Sequence, residues 1–105
     1  MVPPGHELER VGRRYAVLWS GVCGEGFGRL SVLPDRFELS GRDCRFEVEF
    51  CDLVDSSIGR GASERLRGLP VLWLRQRNGE SLRVASLEGT AVLHELAYAV
   101  GGATT

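Results

Sequence analysis

The chain contains no lysine. All thirteen of its basic residues are arginine, which removes Schiff-base chemistry, the P-loop lysine and the Ser-x-x-Lys nucleophile in one step. A GC-rich coding sequence accounts for such a bias. Selection for bidentate anion contacts is the functional alternative. Cysteine is scarce too: three residues at 23, 44 and 51, with no Cys-x-x-Cys pair. An odd number without paired spacing argues against a disulfide framework and fits free thiols in a reducing, cytoplasmic setting. The two histidines, His6 and His94, add no metal-ligand spacing, so neither a metal nor another cofactor is expected. No apolar run approaches the ~20 residues of a membrane span. Arg10, Arg13 and Arg14 before "YAVLWSGVC" mimic a leader only faintly, because Ser20 and Gly21 break the run and no small-x-small site follows. With net charge −1, no global field draws the protein to nucleic acid or anionic membrane. Any such binding needs a local patch.

What is present reads as strands. Residues 1–11 carry Pro3, Pro4 and Gly5 and are expected to be a poorly ordered lead-in to one domain over 12–101, with 102–105 as a frayed end. Aromatic and β-branched residues predict a first strand over 13–22. "CGEGFG" (23–28) reads as a glycine turn, followed by strands over 29–33 and 37–40. "RFEVEF" (45–50) alternates Phe46, Val48 and Phe50 inward with Arg45, Glu47 and Glu49 outward, as a half-buried antiparallel strand does. Further strands are expected over 52–59, 71–77 and 81–85, with Asn78-Gly79 as the hairpin signal between the last two. Then the period changes. Leu93, Leu96, Ala97 and Val100 share one helical face, with Ser86 or Thr90 as the cap and Gly101-Gly102 as the stop.

Seven strands followed by one amphipathic helix resemble the pleckstrin-homology-like fold. The phrases "GRLSVLPDRFELSG" (28–41), "RFEVEFCDLVDSSIGRG" (45–61) and "RGLPVLWLRQRNGESLRVASLEGTAVLHELA" (67–97) look like small bacterial members of that superfamily. The resemblance implies a mainly β barrel or sandwich of two near-orthogonal sheets, capped by the C-terminal helix. It names a scaffold, not an activity. The family's headgroup site resembles a basic strand 1 followed by Arg-x-Arg on strand 2. Here Ser31 stands where the second arginine is expected after Arg29, so the motif is absent. Arg42 and Arg77 are the residues that the family geometry would bring to Arg29 at the open end. The same geometry sends the 60–69 connection to the opposite end. There Glu64 blunts the field of Arg60, Arg65 and Arg67, and Leu66 and Leu69 are expected to pack inward.

Other constellations carry less. "GEGFG" lacks the strand–loop–helix context of a dinucleotide fingerprint. The cysteines have no evident base, and Glu47 with Glu49 reads as a solvated sheet face. No aromatic platform interleaves the arginines as single-stranded nucleic acid would need. Trp19 and Trp73 matter more. Strand 71–77 puts Leu72 and Leu74 on one face and Val71, Trp73 and Arg75 on the other. The first strand is apolar on both faces around Trp19. Two-sided apolar strands need cover from a helix or a second subunit, the C-terminal helix and the N-terminal lead-in being the chain's own candidates. The expectation is therefore a non-enzymatic binding module. Trp19, Val71, Trp73 and Arg75 are the candidates for meeting a protein partner or a second copy. Anionic lipid or phosphate at Arg29, Arg42 and Arg77 is the alternative.

Overall fold

The computed structural model describes residues 14–21, 24–42 and 44–101. The expected lead-in 1–11 and end 102–105 lie outside the described residues. Seven strands form one antiparallel sheet: β1 (Arg14–Gly21), β2 (Gly24–Val32), β3 (Arg36–Gly41), β4 (Arg45–Glu49), β5 (Leu53–Gly59), β6 (Val71–Gln76) and β7 (Ser81–Ser86). A 3₁₀ turn, Phe50–Asp52, joins β4 to β5, and helix α1 spans Thr90–Gly101. The sheet order is β4-β3-β2-β1-β7-β6-β5. The architecture is a mainly β, curled half-barrel with one C-terminal helix.

Two near-orthogonal sheets were expected; the strands instead form one continuous sheet. The reason is β1. It pairs with β2 from Arg14↔Ser31 to Gly21↔Gly24, and on its other edge with β7 from Val17↔Ser86 to Ser20↔Arg83. One strand thus joins the β2–β4 meander to the β7–β5 meander.

The inner face follows the alternation read from the sequence. Tyr15, Val17, Trp19, Leu30, Phe37, Leu39, Leu72, Leu74, Leu82 and Val84 are buried in one cluster with Leu93, Leu96 and Val100 of α1. Burying each large side chain contributes about 1.5–3 kcal/mol, which is what holds a twelve-residue helix too short to persist alone. The helix starts after Gly89, whose φ is +111°, and not at Ser86. The Ser86 hydroxyl instead accepts the Glu88 N–H at 3.0 Å. Tyr15 on β1 donates its hydroxyl to Glu95 of α1 at 3.1 Å, tying helix to sheet.

The segment "CGEGFG" is the second correction. From Gly24 onward it belongs to β2, not to a turn. Gly26 sits opposite Trp19 in the register, and a Cβ on Gly26 would fall 2.7 Å from Trp19 Cζ2. Gly41, at the end of β3, meets the same ring, where a Cβ would fall 2.8 Å from Cη2. The indole fills the space that two absent side chains leave.

The connection 60–70 explains the two-sided apolar strands. It folds back over the outer face of β6, β7 and β1, where Leu66, Val71 and Ala85 are buried together against Leu18, Leu69 and Trp73. Leu66 and Leu69 exchange backbone hydrogen bonds at 3.0 and 2.9 Å around Arg67 (φ +50°) and Gly68 (φ +82°). This is a tight turn of the type that needs two positive φ angles.

Candidate functional site

Alternation decides what each strand shows to solvent. On the β1–β4 half of the sheet the outward positions include Arg14, Leu18, Phe27, Arg29, Ser31, Glu38, Ser40 and Arg45, which alternate with the buried residues and pair with one another across the ladders. Arg42 follows β3 at the same end. Arg14, Arg29, Arg42 and Arg45 line one shallow cavity of about 560 Å³ together with Ser31 and Ser40. Glu38 is the acid in that cavity. It lies 3.7 Å from Arg45 and equally far from Arg36. Arg14, Arg29 and Arg42 have no carboxylate at ion-pair distance among the described residues. Guanidinium forks and serine hydroxyls are donors only or donors by rotation, so the surface suits an acceptor-rich anion.

A second cavity of about 490 Å³ adjoins the first and shares Phe27, Gly41 and Arg42 with it. Leu18, Trp19, Glu25, Cys44, Leu66 and Arg67 also line it. Phe27 stands between the two with 63% of its surface exposed. Here the family-derived expectation for the 60–69 connection is overturned. Leu66 and Arg67 do not lie at the far end but share a wall with Glu25, Phe27 and Arg42. The tight turn at Arg67-Gly68, packed on Leu18, carries them there.

The expected site residues therefore separate. Arg29 and Arg42 come together as foreseen. Arg77 does not join them: its backbone N–H donates to the Asp52 carbonyl at 2.7 Å and its Nη2 to the Cys51 carbonyl at 2.9 Å, holding it against the 3₁₀ turn. Trp19 is 1% exposed and Val71 fully buried, so neither presents a surface. Trp73 is half-buried. Its indole N–H donates to Glu64 Oε2 at 2.8 Å, and the Arg83 guanidinium lies 5.5 Å from its ring centroid. Arg83 also donates to the Glu64 carbonyl at 3.1 Å, so one acidic residue of the connection ties down both. Arg75 is paired with Asp55 at 3.1 Å. Around Val71 and Trp73 the face expected to be open for a partner is covered by the protein's own 60–70 segment, while Arg75 stays exposed. Arg14 and Arg45 are the additions the sequence reading missed. Their outward parity in β1 and β4 was the available signal.

Elsewhere, Arg60 Nη2 donates to His94 Nε2 at 3.0 Å, linking the connection to α1. Glu49, Cys51 and Asp52 bring ligand-type atoms within 4.8 Å of one another at the corner after β4. Among the described residues no helix is long and apolar enough to cross a membrane.

No protein-family model matches the chain, and no curated protein does. A solved structure does match: the C-terminal domain of an unknown protein from Leishmania infantum, at a TM-score of 0.63 and 11% identity, covering 90% of this chain and 94% of that one. At that identity the likeness concerns the fold alone.

Proposed function

We propose that the chain is a non-enzymatic binding module of pleckstrin-homology-like architecture, and that its working surface is the outer face of β1–β4. Its ligand is an anion of phosphate type. One observation carries the reading: four guanidiniums, Arg14, Arg29, Arg42 and Arg45, line a single cavity on a chain whose net charge is −1. Glu38 offsets Arg45 in part, but Arg14, Arg29 and Arg42 have no matching acid among the described residues, and a bound anion relieves their mutual repulsion. Seven antiparallel strands and one C-terminal helix support the architecture.

Phosphate oxygens arrive either on a lipid headgroup or on a free solute, and the chemistry of recognition is the same. The test therefore has two arms. Calorimetric titration with inorganic pyrophosphate reads the free anion. Co-sedimentation with phosphatidylcholine vesicles, with and without phosphatidylserine, reads the membrane-borne one. Binding in at least one arm is expected. It should weaken with salt and fall about tenfold for the double substitution Arg29→Ala with Arg42→Ala. Arg77→Ala, remote from the cavity, should leave it unchanged. No binding in either arm, or full binding by the double variant, defeats the reading.

A further inference from the structure

Resting on that reading of the arginine face, we infer that its occupant is an extended acidic segment of a protein partner, anchored by one large apolar side chain beside Phe27. A bare phosphate fills only part of what is there. The two cavities adjoin and share Phe27, Gly41 and Arg42, and the second brings Leu18 and Leu66 to its wall where the first is mostly arginine and serine. Phe27 is register partner to Leu18 on the outer face, and Leu18 packs onto buried Leu66. An exposed aromatic ring thus stands on an apolar floor that is already built. Arginines surround it on both sides: Arg14, Arg29, Arg42 and Arg45 in one cavity, Arg67 in the other.

An aromatic anchor ringed by arginine is the composition of interface centres. Both cavities are shallow, which suits a chain lying across a sheet better than a compact solute held in a closed pocket. Charge fixes the partner's sign. The arginines require carboxylates or phosphates on the segment, spaced on either side of the apolar residue. Glu25, at the rim of the second cavity, disfavours a further negative group there and so places the apolar residue on that side.

The experiment uses fluorescein-labelled hexapeptides in fluorescence anisotropy. One peptide is glutamate-rich with a central phenylalanine, and a second carries alanine in its place. The expected result is about tenfold tighter binding of the phenylalanine peptide. Phe27→Ala should erase that preference, Phe27→Leu should keep most of it, and Arg29→Ala with Arg42→Ala should weaken both peptides. Equal binding of the two peptides, or a preference that survives Phe27→Ala, overturns the inference. If pyrophosphate binds and neither peptide does, the inference falls while the anion reading stands. If nothing binds, both fall. A short oligothymidylate that binds more tightly than the phenylalanine peptide and loses that affinity on Phe27→Ala also overturns it, because the occupant is then nucleic acid.

Discussion

Trp19 and Gly26 face each other across the β1–β2 ladder, and the indole of the first occupies the space where the second would carry a side chain. The indole N–H is buried without a hydrogen-bond partner among the described residues. The fit is therefore steric, and Gly41 bounds the same ring.

Gly26→Ala should be costly out of proportion to its size. The added methyl lands on a ring held by the core, so either the ring or the strand must shift. Overpacking of this kind costs about 1–3 kcal/mol. Urea denaturation should show a lowered midpoint with an unchanged slope. A midpoint equal to that of the parent would mean that the ring has room the geometry denies it.

The clasp between Glu64 and Trp73 makes a second prediction. Removing the carboxylate strands a partly buried indole N–H and loosens the connection over Val71 and Ala85. Glu64→Gln keeps an acceptor and should cost little, whereas Glu64→Ala should cost about 1–2 kcal/mol. A double-mutant cycle with Trp73→Phe should give a coupling of the same sign, since the two side chains act on each other. Additive effects would show that the hydrogen bond does not hold the segment.

The helix supplies a contrast between its two sides. Leu96 is fully buried and Tyr98 is 83% exposed. Leu96→Ala should destabilise by about 2–5 kcal/mol through the cavity it leaves. Tyr98→Ala should stay within about 0.5 kcal/mol of the parent. Thermal melts of the two variants separate these outcomes, and equal losses would place α1 differently on the sheet.

Much of this fold was legible because alternation is a local signal. Phe46 and Val48 inward, Leu72 and Leu74 inward, Asn78-Gly79 as a turn, and Leu93, Leu96 and Val100 on one helix face all follow from residues a few places apart. The glycines of β2 were misread because glycine usually marks a turn. Their own spacing pointed the other way: Gly24, Gly26 and Gly28 recur every second residue, as one face of a strand does. The exposure of Trp73 and Val71 was misjudged for a different reason. What covers them is a segment whose apolar residues, Leu66 and Leu69, show no period at all. Likewise Arg29 and Arg42 could be paired through a familiar strand order, but Arg77 could not be separated from them. Its tether is a pair of backbone carbonyls at Cys51 and Asp52.

The position of β1 in the sheet has a consequence for how the chain acquires its shape. One edge of β1 is satisfied by its immediate successor, β2, but the other waits for β7, the last strand among the described residues. As the chain emerges from the ribosome, β1–β4 can form as a simple meander. It then carries an unpaired edge until Ser81–Ser86 has been made, and an uncovered apolar face until Thr90–Gly101 follows. Closure through so distant a partner is slow relative to local pairing. The partly made sheet is thus most vulnerable to aggregation in the interval before β7 and α1 emerge.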